Sequence, residues 1–294
     1  MAAIIATHSG PFHADDVFAV GLINLLINEE YEVVRTRDQS VIDTAEFAID
    51  VGGVHDAWSG RFDHHQNDYT GSKSSVGLLL DWLSAPGGYI SEFAADELRS
   101  CLIDELDDAD TNGTPSAMSL LIWSMNPKWD DAEPNNFDKK FGEAVKFAES
   151  VLDSFLKQAE SKELAERRLD LLANNYIGDG RVVDSHCYLP DMAFEVAKRS
   201  SRALFVIWPS SETQWMVQCI PPTENRSAQR LPFPEAVAGL RGEELEAVVG
   251  NLGSDVNPSA PFVHKGRFIG GASTREGAFK LARFALQQVS ELQA

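Results

Sequence analysis

Histidine and aspartate side chains cluster at four places in the first 110 residues of this chain, which has 294 residues in total. The four segments span residues 7–16, 50–53, 63–66 and 107–110, and none of them contains cysteine. Their candidate metal ligands are therefore imidazole nitrogens and carboxylate oxygens. This ligand set suits Mn²⁺, Fe²⁺ or Zn²⁺ better than Ca²⁺ or Mg²⁺.

Each of these residues alone has an ordinary explanation. His8 or His13 could lie in a loop, and Asp15 or Asp16 could cap the N-terminus of a helix. Histidines and aspartates at four predicted loop positions are harder to explain in this way when they are taken together. A pair of metal ions held by such residues can activate a bridging water and hold a phosphoryl oxygen. The set therefore indicates a two-metal site for phosphoryl chemistry.

Strands that alternate with helices must position these segments. Apolar runs predict strands at 4–5, 31–35 and 47–51, and helical periodicity recurs at 17–26, 75–83, 90–102 and 141–172. Two of the four segments directly follow predicted strands. In an open α/β sheet, the loops at the carboxyl ends of the strands form the ligand crevice. We therefore predict an α/β fold whose N-terminal, mostly parallel sheet is flanked by helices.

The pattern changes after a long helical stretch that ends near residue 174. Strand-like segments follow at 181–183, 203–208 and 215–220, and a helix is predicted at 275–293, entered through Gly270 and Gly271. We therefore predict two domains, a metal-binding catalytic domain at 1–174 and a smaller α/β substrate-binding domain at 175–294.

The charge distribution limits how an anionic substrate could be held. The formal net charge is -20, which argues against a general basic field for nucleic acid. Residues 222–294 carry eight basic and eight acidic side chains, so the whole excess lies before residue 222. An anionic substrate would have to be held by bound metal ions and a few arginines.

The cysteines and the apolar runs indicate a compartment. Cys101, Cys187 and Cys219 form no CxxC pair, and we predict that they are reduced and buried. No targeting segment and no membrane-spanning run is visible. The sequence therefore predicts a cytoplasmic protein.

Longer motifs around the four segments resemble a known family. The motifs in the first half are Thr7-His8-x-Gly10-x-Phe12-His13-x-Asp15, Arg35-Thr36-Arg37-Asp38, Asp50-Val51-Gly52-Gly53 and Phe62-Asp63-His64-His65-Gln66. Those in the second half include Gln229-Arg230-Leu231-Pro232, Phe268-Ile269-Gly270-Gly271 and Thr274-Arg275-Glu276-Gly277-Ala278. Together they are similar to the melanocyte proliferating gene family of the DHH phosphoesterase superfamily, over nearly the whole chain.

The resemblance implies a DHH-like catalytic domain with two divalent metal ions, Mn²⁺ first and Mg²⁺, Zn²⁺ or Fe²⁺ as alternatives. One ion would be bound by His8, His13 and Asp50. The other would be bound by Asp15, Asp50, His64 and Asp110, so that Asp50 bridges the two. The superfamily usually has an aspartate where His13 stands, which makes the first site richer in nitrogen. Asp107, one helical turn before Asp110, is an alternative ligand.

Further roles follow from the same resemblance. His65 would act in catalysis beside His64 and Asp50, or alternatively would only support His64. Backbone N–H groups at a helix start, together with arginine, can bind a substrate phosphate. The candidates for this second site are Gly270, Gly271, Thr274 and Arg275, with Arg230 as a further choice. The alternative is an ordinary junction in which Thr274 caps the helix.

The resemblance implies a 3′–5′ exoribonuclease that acts on RNA or short oligonucleotides. One alternative is a pyrophosphatase or another small-phosphoester hydrolase, and another is a non-catalytic, metal-binding regulatory protein. The expected partner is RNA or an oligonucleotide, with no membrane. The oligomeric state stays open, and a homodimer is compatible with the sequence.

Overall fold

The computed structural model describes residues 3–131, 133, 135–172 and 175–292, and the side chains of these residues up to 287. The chain divides into two compact units, Met1–Glu163 and Leu164–Ala294. The predicted domain boundary after residue 174 falls on residues 173 and 174, which lie outside the described part of the chain. It therefore stays a prediction.

The first unit is built on a five-stranded, mostly parallel sheet, as predicted. Its strands stand in the order β2-β1-β3-β5-β4, and β4 pairs antiparallel with β5 at one edge while the other neighbours are parallel. The strands are β1 (Ala3–Thr7), β2 (Tyr31–Arg35), β3 (Phe47–Ile49), β4 (His55–Asp56) and β5 (Arg61–Phe62). Strands β4 and β5 are missing from the prediction, because two residues are too few to show a period.

Seven α-helices begin in the described part of this unit. They are α1 (Ala14–Leu26), α2 (Gln39–Thr44), α3 (Ser75–Leu83), α4 (Glu92–Leu98), α5 (Asp104–Thr111), α6 (Ala117–Ser124) and α7 (Phe137–Leu172), the last of which continues into the second unit. A π-helical turn, Arg99–Ile103, joins α4 to α5. Helix α1 is apolar nearly all round, and its residues from Ala14 to Ile23 are all buried. Helix α1 therefore lies within the core, and packing on all sides fixes the position of its first turn.

The second unit is smaller and also mixes α-helices with strands. The sheet order is β10-β11-β9-β8-β7-β6, and β7 and β8 pair in parallel. Its elements are β6 (Tyr176–Ile177), β7 (Val182–Asp184), α8 (Met192–Arg199), β8 (Phe205–Ser211), β9 (Gln214–Cys219), α9 (Gly242–Val249), β10 (Phe262–Val263), β11 (Ile269–Ala272) and α10 (Arg275–Leu292). Two separate apolar clusters form the core of this unit. One includes Leu281 of α10, and the other includes Val196 of α8.

The structure bears on two sequence predictions, the burial of the three cysteines and the lack of a membrane-spanning segment. All three thiols are free, but only Cys219 is buried. The prediction of burial is wrong for Cys101, which is exposed, and holds only in part for Cys187. Within the described ranges, no helix combines the length and the apolar character needed to cross a bilayer.

Candidate metal centre

The carboxyl ends of four parallel strands carry the polar segments of the first unit. His8, Asp50 and Asp63 directly follow β1, β3 and β5, and Arg37 is the second residue after β2. Because these strands are parallel, their ends lie along one edge of the sheet, which is where α/β folds form ligand sites. Three of the four polar segments are therefore brought together by the sheet itself, and the fourth, 107–110, comes from helix α5.

Asp50 lies at the centre of this edge. Its Oδ2 atom is 3.4 Å from Nε2 of His8, and its Oδ1 atom is 3.2 Å from Nδ1 of His65 and 3.7 Å from Nδ1 of His64. Oδ1 also accepts a hydrogen bond from Ser75 Oγ at 3.2 Å. The backbone of Asp50 is left-handed, with φ at 54°, which aspartate tolerates better than most residues. One carboxylate thus contacts three imidazoles.

Asp15 is fully buried in the first turn of α1. Neither of its carboxylate oxygens has a hydrogen-bond partner among the described residues. Burial, and then the neighbouring charges of Asp50 and Asp110, raise the pKa of Asp15 well above its ordinary value. A buried carboxylate without a partner is costly unless a cation compensates it. These orphaned oxygens fit a bound metal ion.

The remaining candidate ligands meet around His13. Three groups of residues could each hold a metal ion, because within each group the donor atoms lie no more than 4.8 Å apart. The groups are His8, His13 and Asp50, then His13, Asp15 and Asp110, and finally Asp50, Asp63, His64 and His65. Nε2 of His64 is also 2.8 Å from Oδ2 of Asp110. The structure thus brings together all six residues that the sequence proposed as ligands. Their nitrogen and oxygen donors suit a divalent cation of the Mn²⁺ type.

His13 and Asp16 have local roles that differ from the expectation. His13, rather than Asp15 or Asp16, is the N-cap of α1. The Oδ1 atom of Asp16 accepts a hydrogen bond from the backbone N–H of His13 at 3.0 Å, and Oδ2 is 3.3 Å from Nε2 of His8. Asp16 therefore supports both histidines. Asp16 stands three residues after His13, which is the spacing of a capping box, and this spacing is visible in the sequence.

Asp107 has a structural use that separates it from Asp110. Its Oδ1 atom accepts from both the backbone N–H of Ser74, at 2.9 Å, and the Ser74 hydroxyl, at 2.7 Å. Ser74 is the N-cap of α3, so Asp107 ties α5 to the start of α3. A Cβ atom on Gly77 would lie 2.2 Å from Oδ2 of Asp107, which explains why glycine stands there.

Variants at these two aspartates should behave differently. Asp107→Ala leaves the buried donors of Ser74 unpaired, so we expect it to lower the free energy of unfolding by about 1–3 kcal/mol and to leave the manganese content unchanged. Asp110→Ala should lower the manganese content and cost little stability. Urea unfolding and metal analysis measure both effects. The reverse pattern, with manganese lost only from Asp107→Ala, would make Asp107 the ligand.

His65 is held next to the ligands but faces solvent. Its Nδ1 atom is 2.8 Å from Oδ1 of Asp63, whose other oxygen accepts from the backbone N–H of Gly53 at 2.6 Å. The side chain of His65 is 59% exposed. Interactions with Asp50 and Asp63 raise the pKa of His65 to about 9. Because Nδ1 is taken up by carboxylates, Nε2 is the ring nitrogen that remains for a substrate.

The glycine pair of the second unit lies in the strand that directly precedes α10, and α10 begins at Arg275 as predicted. Gly270 and Gly271 lie in strand β11, paired with β9 on one side and β10 on the other. Cβ atoms there would come within 2.8 Å of the Phe262 and Ala260 carbonyl oxygens respectively. The close approach of β10 therefore explains both glycines. The phosphate-binding role that the resemblance implies for them stays a prediction.

The other three residues proposed for substrate binding have protein partners. Arg230 donates to the carbonyl oxygens of Ser200 (2.6 Å), Ala203 (3.1 Å) and Ala197 (3.0 Å) near the end of α8. Arg275 pairs with the buried carboxylate of Asp184 through two nitrogens. Thr274 Oγ1 accepts from the backbone N–H of Gly277 at 3.0 Å, as the helix-cap alternative requires. The substrate-binding role that the resemblance implies for these three residues stays a prediction.

Arg37 lies at the same edge of the sheet and was not among the candidate residues of the sequence. It lines a cavity of about 330 Å³ together with His8, His13, Asp50 and His65. Its side chain is exposed and forms no hydrogen bond or ion pair with the residues that the structure describes. The signal for it was its place just after a parallel strand, since such loops face the ligand crevice.

The fold and the cluster define a mixed α/β protein with a candidate metal-binding site of histidines and aspartates at the carboxyl edge of a parallel sheet. The family model MYG1_exonuc, described as "Uncharacterised protein family (UPF0160)", matches residues 4–87 and 90–286. The chain belongs to this family, which confirms the resemblance found in the sequence.

Individual relatives extend over similar lengths. The MYG1 protein of Chlamydia trachomatis is 33% identical over 97% of this chain and 96% of its own length. The MYG1 exonuclease of Homo sapiens is 30% identical over 98% of this chain and 87% of its own length. A crystal structure of RecJ with Mn²⁺ from Thermus thermophilus matches with a TM-score of 0.28 and 12% identity, over 97% of this chain and 52% of that chain.

Proposed function

We propose that this chain is a metal-dependent phosphodiesterase that removes nucleotides one at a time from the 3′ end of RNA or short oligonucleotides. The observation that carries the proposal is the buried carboxylate of Asp15, which has no hydrogen-bond partner in the described part of the chain and lies within a set of imidazoles and carboxylates. Burial of such a carboxylate costs free energy, which bound cations would offset. The mammalian relatives are named exonucleases, which supports a nucleic acid as the substrate.

The metal ligands in this proposal are His8, His13, Asp15, Asp50, His64 and Asp110. Asp50 is the ligand shared between two ions, because among the described carboxylates only this one contacts three imidazoles, those of His8, His64 and His65. When bound, the two divalent cations would supply an activated water and neutralise charge on the phosphoryl oxygens. We favour Mn²⁺ over Mg²⁺ because three imidazoles are among the ligands.

The residues around the ligands would place the substrate. Arg37 has no protein partner among the described residues, and it lines the cavity that His8 and Asp50 also line. Its guanidinium can therefore bind two oxygens of a phosphate. His65 is fixed at Nδ1 by Asp63, and its Nε2 can donate a proton to the leaving oxygen. An exonuclease needs only a few nucleotides in the site, which reconciles a nucleic acid substrate with the net charge of -20.

A polarity assay tests this function. Single-stranded RNA labelled at its 5′ end should give a ladder of labelled products that shorten gradually, because cleavage begins at the 3′ end. The reaction should require Mn²⁺, and a 3′-blocked RNA should resist it. His65→Gln should show the same polarity at a rate lower by about 10²-fold. Turnover of pyrophosphate is measured in parallel, because pyrophosphate is the substrate expected for the alternative function.

Three results would contradict the proposal. Immediate release of the labelled 5′-terminal nucleotide would mean that cleavage begins at the 5′ end. Faster turnover of pyrophosphate than of RNA would make the chain a small-phosphoester hydrolase. Bound manganese without turnover of any phosphoester would make it a non-catalytic metal-binding protein.

A further inference from the structure

Trp123 exposes its indole ring beside the candidate metal centre. It belongs to helix α6, all eight residues of which are described, and Ile122 is the only one of them that is buried. Trp123 is 52% exposed and its neighbour Leu120 is 56% exposed. An apolar helix in a domain core would bury such residues. About half of the Trp123 side chain is therefore accessible to a ligand.

The position of Trp123 is fixed from both sides. Its ring stacks on the imidazole of His13, with ring centroids 5.7 Å apart and 20° between the planes. At the end of the helix, the side-chain amide of Asn126 accepts from the backbone N–H of Phe12 at 3.0 Å and donates to the Phe12 carbonyl at 2.9 Å. Phe12 directly precedes His13. The end of α6 is thus tied to the loop that carries two candidate metal ligands.

The ring lines a cavity whose wall also includes three of the candidate metal ligands. This cavity has a volume of about 270 Å³. Its polar wall includes His13, Asp15 and Asp110, and its apolar wall includes Leu106, Leu120 and Trp123. Small-molecule pockets usually hold about 300–1,000 Å³, so this one suits a single nucleoside better than a larger ligand.

We propose that Trp123 is the stacking platform for the nucleobase of the nucleotide whose phosphate lies at the metal centre. This subsite rests on the proposed function and specifies it further. In a nucleotide a sugar separates the phosphate from the base, so the base reaches the apolar wall while the phosphate stays at the polar wall. Stacking on an aromatic ring is independent of base identity, because every base presents a π-face. The site therefore accepts single-stranded ends of any sequence.

A binding experiment separates this subsite from catalysis. Adenosine 5′-monophosphate and ribose 5-phosphate differ by the base, and each is titrated into the intact protein with Mn²⁺ by calorimetry. The wild type should bind the adenosine nucleotide about tenfold more tightly than the sugar phosphate. Trp123→Ala should abolish this difference, and Trp123→Phe should restore most of it. Trp58→Ala is the matched control, because Trp58 is 99% exposed and lies outside the cavity.

Two outcomes would overturn the proposal. One is a wild type that binds both probes equally. The other is a Trp123→Ala variant that loses affinity for both probes and for manganese to the same degree, since the ring would then serve only to hold His13. If the wild type prefers the nucleotide through Trp123 but cleaves no RNA, the proposed function fails and the base-binding subsite stands.

Turnover gives an independent readout of the same subsite. With RNA as the substrate, Trp123→Ala should raise KM about tenfold and change kcat little. With RNA whose 3′-terminal nucleotide lacks its base, the same substitution should leave KM unchanged. An equal rise in KM for both substrates would contradict a contact to the base.

Discussion

Asp50→Asn should reduce metal-dependent RNA turnover by about 10³-fold and leave the fold intact. The loss is expected because the substitution removes one negative charge from a carboxylate that contacts His8, His64 and His65. Asparagine is the suitable replacement, since it also tolerates the left-handed backbone seen at φ 54° and keeps an oxygen for the Ser75 hydroxyl. Single-turnover rates at saturating Mn²⁺, together with metal content, measure the effect.

A matched control exists in the second unit. Asp191 is also a left-handed aspartate, at φ 49°, and its side chain is exposed beside Arg226. Asp191→Asn should retain full turnover, because only the backbone conformation is shared with Asp50. Full activity of Asp50→Asn would contradict the role of this carboxylate as the ligand shared by two ions.

Removal of the metal should destabilise the first unit strongly. At a manganese concentration 100 times the dissociation constant, binding adds about 2.7 kcal/mol of stability. For a unit of this size, that corresponds to a rise in melting temperature of roughly 5–10 °C, which a chelator should abolish. Asp15→Ala should remove this response. In the presence of chelator it should melt no lower than the wild type, because it deletes a buried carboxylate that has no partner among the described residues.

Asp107→Ala is the control for this thermal comparison. It should melt lower than the wild type both with Mn²⁺ and with chelator, because the bonds to Ser74 are lost in either case, and its response to manganese should persist. Differential scanning calorimetry of the three proteins gives both quantities. An Asp15→Ala protein that is still stabilised by manganese as much as the wild type would remove Asp15 from the ligand set.

The sequence predicted those elements whose side chains repeat with a clear period. Strand β2 was predicted with the same bounds as the structure shows, and so was helix α3, because both are long enough for an apolar pattern. Strand β5 was not predicted, since it has two residues, yet it positions His64. The histidine–histidine motif itself was the only sequence signal at that edge of the sheet.

In the second unit, the sequence showed residue types but not their partners. Arg275 was proposed for a phosphate because it follows a glycine-rich stretch, and the structure gives it the buried carboxylate of Asp184, 91 residues earlier. Gly270 and Gly271 were expected to bind a phosphate ahead of α10, whereas the structure places them in strand β11, where the approach of β10 accounts for them. Pairings between distant residues cannot be derived from one sequence. Trp123 was not a candidate because an aromatic residue in a helix more often lies in the core. Arg37 was not a candidate either, although it comes soon after a predicted parallel strand.

The number and position of bound manganese ions test the central claim most directly. Anomalous scattering at the manganese edge, from a crystal grown with Mn²⁺, should show two peaks per chain about 3.5–4 Å apart with the carboxylate of Asp50 between them. His8 and His13 should point to one peak and His64 to the other. A single peak, or imidazoles of these three residues directed to separate places, would contradict the account.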